Sequence, residues 1–378
     1  MIWLIIIIAL LMLIFGIVER YKHLRWLCQF QIRIQVNGTR GKSTIVRMLV
    51  DLFQNAGLSV AARVTGETPQ HYVDGLGWNQ IARRGIPRIS EIIRWKKLIG
   101  TRTAQILIAE NMALESENQY LFETQLFRSH LCIISNIRKD HAEVMGKTIK
   151  EIARTLYFSL PLNGMLLTSK LALDNLKNYF TKPSRIEITL VDSSTPDPFD
   201  LYLKFLEKVK QKYNLPNQAL QMTTESWRRK ISPQKLGLNF YYHNRKKVFI
   251  DLFSCNDIES TENLLRYLMQ KQILPAKLSF ILACREDRPL RTVAFLEFLL
   301  KRNDCGIILI CGRYPLFTIK TKIQHSTKNL NDIIFAGVHI NKFLPGVVSR
   351  SDCLVGVGNY FNFGQHISAY FKGISDGS

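Results

Sequence analysis

Residues 31–53, QIRIQVNGTRGKSTIVRMLVDLF, place an alternating apolar run, a glycine-containing turn and a helical repeat in immediate succession. No other stretch restricts the chain as much. Ile32, Ile34 and Val36 recur at every second position, as in a strand. Ile45, Met48, Leu49 and Leu52 recur at helical spacing. Asn37, Gly38 and Gly41 lie in the turn between them. A strand that turns through glycine into a helix aims backbone N–H groups at one point, where the helix N-terminus adds partial positive charge. That geometry suits a nucleotide phosphate. Lys42 is then set to reach the outer phosphates and the Ser43 hydroxyl to bind Mg²⁺. The common phosphate loop, G-x-x-x-x-G-K-[ST], has a glycine where this chain has Val36. The competing reading is a surface turn that happens to spell GKS. The strand before and the helix after favour the nucleotide site.

The rest of the chain continues the alternation. AQILIAE (104–110), LCIISNI (131–137) and GMLLTSK (164–170) read as short apolar strands, with helical stretches between them such as TIKEIARTLYFSL (148–160). A second block follows: VFIDLFS (248–254), LSFILAC (278–284), CGIILIC (305–311), DIIFAGV (332–338) and CLVGVG (353–358). Alternating strands and helices imply parallel sheets with helical crossovers. The expected class is α/β, with a phosphate-loop domain over 31–200 and a smaller Rossmann-like domain over 248–378. The piece 201–247 is strongly basic and weakly patterned, and reads as a connecting region.

Residues 1–18, MIWLIIIIALLMLIFGIV, are uninterrupted apolar. As a helix they span about 27 Å, close to a bilayer core. A cleaved signal peptide has a basic start, a shorter apolar run and a small-residue cleavage site. This run lacks all three. Its basic residues follow in a stem over 19–30, at Arg20, Lys22 and Arg25, so the positive-inside rule places the remainder in the cytoplasm. The expectation is an uncleaved single-pass anchor in the cytoplasmic membrane. The formal charge of +21 over 378 residues calls for an anionic partner without choosing among nucleotide, polyanion, acidic lipid and nucleic acid. Seven cysteines, an odd number without a C-x-x-C pair, read as reduced core residues.

In an open parallel sheet, ligands bind beyond the carboxyl ends of the strands. Those ends carry Glu110, then Asn136, Asp140 and His141 in the first block. In the second block they carry Asp257, then Arg285, Arg288 and Arg291 around Asp287. A carboxylate and an imidazole facing a Lys–Ser loop can hold Mg²⁺ against nucleotide oxygens. Taken singly, Glu110 would read as a helix N-terminal acid, His141 as a cap neighbour and the arginines as a structural ion-pair network.

With these residues in view, a resemblance is legible. NGTRGKST is similar to the nucleotide loop of the Mur ligase superfamily, which lacks the early glycine, and ISNIRKDHAEVMG resembles its N-x-x-x-D-H segment. The closer resemblance is to the ligase subunits of poly-γ-glutamate synthases, the CapB/PgsB family. It rests on five ordered features: the apolar N-terminus, Asn37–Thr44, Asp140–Gly146, Cys284–Arg288 and Gly356–Asn359. It covers roughly 31–170 and 248–366.

The resemblance implies an ATP-dependent acid–amine ligase that adds glutamate through γ-linkages to a poly-γ-glutamate chain by way of an acyl phosphate. It implies ATP and Mg²⁺ as cofactors. Asn37, Gly38, Thr39, Arg40, Gly41, Lys42, Ser43 and Thr44 would form the loop. Ser43, Glu110 and His141 would be metal ligands, and Asp257 a ribose contact. Lys42, Glu110, His141, Arg285 and Arg288 are the catalytic candidates, with Arg291 on the ligand side. Implied partners are glutamate, its polymer, membrane lipid and further membrane subunits of CapC and CapA type. Nucleic acid is not implied, and a homo-oligomer is allowed. The sequence departs from the superfamily in three places. IARTLYFSLP offers no counterpart to the carbamylated lysine, Glu259 replaces a carboxyl-terminal-domain lysine, and no adenine-facing asparagine is evident near Phe199–Tyr213. Two other functions compete. One is another amide ligase of the superfamily, a folylpolyglutamate or wall-precursor enzyme. The other is a membrane-tethered phosphate-loop switch acting on nucleic acid.

Overall fold

The structure is a computed structural model, and it describes residues 2–66, 69–82, 88–99, 104–139, 144–180, 185–192, 198–230, 237–255, 257–272, 274–314, 316–324, 326 and 332–375. The chain forms two compact units, 1–227 and 228–378.

The first unit opens with α1 (Ile2–Leu27), one unbroken helix of 26 residues. Residues 2–18 are all exposed, and the helix is long and apolar enough to cross a membrane. Its last turns change character. His23, Trp26 and Leu27 are buried, and with Phe30 they recur at the spacing of one helix face. Trp26, Leu27 and Phe30 join a core cluster with Ala61, Leu107, Phe122 and Phe127. His23 bonds the Leu126 carbonyl, and the Arg33 guanidinium donates to the carbonyls of Leu27 and Arg128.

There follow β1 (Ile32–Asn37), α2 (Lys42–Asn55), β2 (Val60–Val64), β3 (Gln70–Val73), β4 (Gly77–Gln80), α3 (Glu91–Ile99), β5 (Ile106–Glu110) and α4 (Ser116–Leu121), which passes into a π-helical turn, Phe122–Phe127. Next come β6 (Leu131–Ile134), α5 (Ile149–Tyr157), β7 (Asn163–Ser169), α6 (Lys170–Leu176), β8 (Arg185–Val191), α7 (Pro198–Lys212) and α8 (Asn217–Lys230). Helix α5 starts where Thr148 and Glu151 make a reciprocal capping box. The eight strands lie in the order β4-β3-β2-β5-β1-β6-β7-β8. All neighbours are parallel except the β2–β3 and β3–β4 pairs. Register sets Val36 beside Glu110 on one side and beside Ile133 on the other, so the carboxyl ends of β5, β1 and β6 finish together.

The second unit carries β9 (Gly237–Tyr242), β10 (Arg245–Asp251), α9 (Ile258–Gln270), β11 (Leu278–Cys284), α10 (Pro289–Leu300), β12 (Cys305–Gly312), α11 (Leu316–Gln324), β13 (Ile333–Gly337), α12 (Ile340–Arg350), β14 (Cys353–Gly358) and α13 (Gln365–Ser375). Its sheet runs β13-β12-β11-β14-β10-β9, parallel except for the β9 edge. Strands β11 and β12 are buried along their whole lengths, as strands covered on both faces must be. This is the expected α/β architecture in two blocks.

In the stretch 201–247, read from sequence as a connecting region, the described residues form helices and strands. Helix α7 buries Leu203, Phe205, Leu206 and Val209, and α8 buries Ala219, Thr223 and Trp227. The Trp227 indole donates to Asp51 on α2 at 2.7 Å, and Asn55 of α2 donates to Thr223 at 2.9 Å. The lysines of α7 occupy its other positions, and their number hides the apolar stripe from a reading by composition. None of the seven cysteines is disulfide-bonded, and burial pushes the Cys132, Cys284 and Cys353 thiols up to about 12.

Candidate active site

Glycine shapes the loop between β1 and α2. Gly38 has φ +113°, and a Cβ there would fall 2.4 Å from the Ser135 hydroxyl. Gly41 is left-handed at φ +79°, directly before the first turn of α2. Both positions exclude side chains, and the loop closes against the end of β6. Asn136 accepts from the Thr39 hydroxyl at 2.6 Å and from Arg40 N at 3.1 Å, and its amide donates to the Arg40 carbonyl. The Ser135 hydroxyl donates to that same carbonyl at 2.5 Å.

Behind the loop lies a chain of buried amides. Asn37 Nδ2 donates to Gln119 Oε1 at 2.8 Å, and Asn37 Oδ1 accepts from Gly38 N. Asn111 Nδ2 donates to both Gln119 Oε1 and Gln35 Oε1, at 2.7 and 2.9 Å. Gln35 Nε2 ends on the Ser159 carbonyl. All four side chains are at most 2% exposed. Buried polar groups that are this well paired fix one geometry, because moving any member leaves another unsatisfied.

Lys42 Nζ donates to the Gly38 carbonyl at 2.8 Å, so its ammonium lies over the loop. The Ser43 hydroxyl donates to Glu110 Oε2 at 2.7 Å, and that oxygen also accepts from Thr65 N at 2.8 Å. Glu110 is only 5% exposed. The structure thus brings together Lys42, Ser43 and Glu110, which sequence alone had placed on two separate strand ends. A hydroxyl and a carboxylate at hydrogen-bond distance beside a phosphate loop are hard oxygen donors of the kind Mg²⁺ or Mn²⁺ takes, with phosphate and water completing the shell. Thr44 follows in the first turn of α2. His141 and Asp140 lie outside the described residues.

Two neighbours were not among the residues that the sequence singled out. Tyr202 of α7 reaches the loop, its hydroxyl only 2.3 Å from where a Gly41 Cβ would stand. Arg47, four residues after Ser43 and therefore on the same helix face, stacks 4.3 Å from the Trp78 ring centroid and donates to Gln70 at 2.6 Å. Burial lowers the Arg47 pKa, and the carboxylates of Glu110 and Asp51 oppose the shift. Helix spacing would have found Arg47. Nothing local would have found Tyr202.

In the second unit, Asp257 caps α9, its Oδ1 accepting from Ser260 N at 2.8 Å. Arg285 grips Asp287 with a two-pronged pair at 2.9 and 2.6 Å and lies 5.2 Å from the Phe361 ring centroid. The hydrogen bonds from Arg285 hold the Asp287 carboxyl below its usual range. Arg288 stands at the N-cap of α10, and Arg291 donates to Asn359 at 3.2 Å. Asn359 is tied in turn to the Ala283 carbonyl, so CR-x-DR and GVGN form one loop pair at the ends of β11 and β14.

A phosphate-loop α/β unit followed by a Rossmann-like unit is the architecture of the Mur and folylpolyglutamate ligases. The bifunctional folylpolyglutamate synthase/dihydrofolate synthase of Yersinia pestis, solved with AMPPNP and Mn, superposes with a TM-score of 0.63 at 12% identity, over 93% of this chain and 92% of that one. The UDP-N-acetylmuramoylalanyl-D-glutamyl-2,6-diaminopimelate–D-alanyl-D-alanyl ligase of Acinetobacter baumannii gives 0.56 at 11% identity, over 94% and 78%. These likenesses establish the fold. In sequence the chain is similar to CapB proteins. Residues 238–374 match the poly-gamma-glutamate synthase CapB C-terminal domain. The PGA synthase CapB of Bacillus subtilis is 26% identical over 323 residues, covering 82% of each chain. The capsule biosynthesis protein CapB of Bacillus anthracis is 26% identical over 325 residues, covering 82% of this chain and 70% of that one.

Proposed function

We propose that this chain is an ATP-dependent ligase, held at the cytoplasmic membrane by α1, that joins glutamate to the end of a γ-glutamyl chain. The observation that carries the proposal is the Ser43–Glu110 pair beside Lys42 on a glycine-built loop, in a chain related to CapB. When bound, ATP and Mg²⁺ supply the phosphoryl group and the charge that neutralises it in transfer. The chain's residues do the rest. The loop amides from Gly38 to Lys42 orient the phosphates. Lys42 exchanges its bond to the Gly38 carbonyl for the outer phosphate oxygens and offsets negative charge as it builds. Ser43 and Glu110 would hold the metal. A chain-end carboxylate attacks the γ-phosphorus, ADP leaves, and the amine of glutamate then displaces phosphate from the acyl group and gives up a proton. Arg285, Arg288 and Arg291 are the candidate carboxylate readers of the second unit; Arg285 would have to trade its Asp287 pair for substrate.

An anchor explains α1 better than a cleaved leader, because Trp26 and Leu27 at the helix end belong to the domain core. The relatives' activity also suggests further membrane subunits for handling the polymer.

The test is turnover by the full chain in membranes with ATP, Mg²⁺ and labelled glutamate. ADP should appear only with glutamate or a glutamyl acceptor present, hydroxylamine should trap the activated carboxyl as a hydroxamate, and Lys42→Ala should abolish both. ADP release that responds to DNA or RNA and ignores glutamate would overturn the proposal.

A further inference from the structure

Helix α3 is tied to the membrane-proximal end of α1. Ile92, Trp95 and Ile99 of α3 share a core cluster with Trp26, Leu27 and Phe30. Lys96 Nζ donates to the Lys22 carbonyl at 2.9 Å and lies 5.9 Å from the Trp26 ring centroid. The opposite face of α3 presents Arg94, Lys97 and Leu98, all exposed, with Leu98 54% exposed. On α1, Arg20, Lys22 and Arg25 are exposed as well. Two elements far apart in sequence therefore display six cations in one region, Arg20, Lys22, Arg25, Arg94, Lys96 and Lys97. Glu19 is the exposed acid beside them, while Glu91 is committed to Arg63.

Depth along the helix says what this region faces. Lys22 lies about 6 Å beyond Val18 along the helix axis. The headgroup layer on each side of the hydrocarbon is about 5–8 Å thick. If residues 2–18 fill the hydrocarbon, the Lys22 carbonyl lies in the headgroup layer, and Lys96, bonded to it, lies there too. Burial, followed by the charge of Lys22, lowers the Lys96 pKa. A cation crowded by another cation is relieved by an anion.

We infer that α3 and the end of α1 form a docking surface for anionic phospholipid headgroups, with Arg94, Lys96 and Lys97 engaging phosphates and Leu98 entering the acyl boundary. The inference rests on the anchor reading of α1 and adds to it: the ATPase unit lies on the bilayer instead of hanging from it. Basic side chains in this layer are attracted to an anionic leaflet by about fivefold each in binding constant, and an amphipathic helix with such a face lies in the plane of the interface.

The test uses the full chain in nanodiscs of phosphatidylcholine alone or with added phosphatidylglycerol. Lysines are modified with a water-soluble acylating reagent and read by mass spectrometry. In the anionic discs, labelling of Lys22, Lys96 and Lys97 should fall several-fold at low salt and recover at high salt, while the exposed Lys147 and Lys170 stay unchanged. Glycerol phosphate in solution should not reproduce the effect, which separates a lipid surface from a free phosphate site. Arg94→Gln with Lys97→Gln should remove most of the protection at Lys96 without releasing the chain from the membrane. Equal labelling in both discs, a fall shared by Lys147 and Lys170, or protection by glycerol phosphate would each overturn the docking surface. Alkaline carbonate extraction tests the anchor separately: release of the wild-type chain would overturn both readings, whereas retention with unprotected Lys96 would overturn only this one.

Discussion

Gly41→Ala tests the nucleotide loop at its tightest point. Gly41 is left-handed, a conformation that costs an L side chain about 1–2 kcal/mol. The new Cβ would also lie 2.3 Å from the Tyr202 hydroxyl oxygen, 2.7 Å from Cζ and 2.8 Å from Cε1, where ordinary contact begins near 3.4 Å. The ring must retreat by about 1 Å, or the loop must, and overpacking of this size costs about 1–3 kcal/mol. The two effects together come to about 2–5 kcal/mol, which is roughly 30- to 4000-fold in nucleotide affinity if the loop must keep its shape to bind. Titration of a fluorescent ATP analogue into the full chain in detergent measures it. Tyr202→Ala in the Gly41→Ala background should restore the clash part and leave only the backbone cost, roughly five- to thirtyfold below wild type. A double variant that binds no better than Gly41→Ala, with Tyr202→Ala alone close to wild type, would refute the contact and the reasoning built on it.

Three other outcomes are expected. Ser43→Ala should raise the divalent metal concentration needed for half-maximal turnover, and Glu110→Gln should raise it further; unchanged metal titrations would return both residues to a purely structural role. Glu123 is 2% exposed, and burial raises its carboxyl to about 7, against the hydrogen bonds from Ser129. The folded state therefore holds a proton that the unfolded chain releases near pH 4.5, so this contribution to stability is complete below pH 4.5 and is lost as pH rises through 7, by up to about 3 kcal/mol. Glu123→Gln should flatten that slope in urea unfolding of the full chain, and an unchanged pH dependence would remove the assignment. Gln119→Leu leaves Asn37, Asn111 and the Ala113 carbonyl short of partners, and should cost about 2–4 kcal/mol and loosen the loop, read as faster hydrogen exchange over 37–41.

The elements that sequence made plain are those whose pattern is local. Strand β1, its glycine turn and α2 follow from spacing alone, and the strands of the second sheet stand out as apolar runs. Alternation misled in one respect. It places Gln35 on an outward face, but a parallel strand between two others is covered on both faces, and Gln35 is buried and bonded to Asn111 and Ser159. Helix α7 was hidden because Lys204, Lys208, Lys210 and Lys212 crowd its composition while the apolar stripe runs beneath, and α8 because it is mostly polar, with few apolar residues to mark a face. Tyr202 at Gly41, and Ser43 at Glu110, are contacts between residues 161 and 67 positions apart, and only the sheet order brings such partners together.

The buried amides behind the loop also bear on how the protein ages. Asn followed by Gly is the pair whose side chain most readily cyclises onto the next backbone nitrogen, loses ammonia and reopens as aspartate or isoaspartate. The chain has two such pairs, Asn163–Gly164 with its asparagine exposed and Asn37–Gly38 at the root of the phosphate loop, and the second bears on the site. In the folded chain the Asn37 amide is clamped by Gln119 and is 2% exposed, so the ring closure it would need is denied both freedom and water. Each excursion that opens the loop lifts that protection. An aspartate formed there would set a fixed negative charge where the proposed nucleotide phosphates would approach, and refolding would not remove it. For this pair, the rate of such damage depends on how seldom one glutamine lets go.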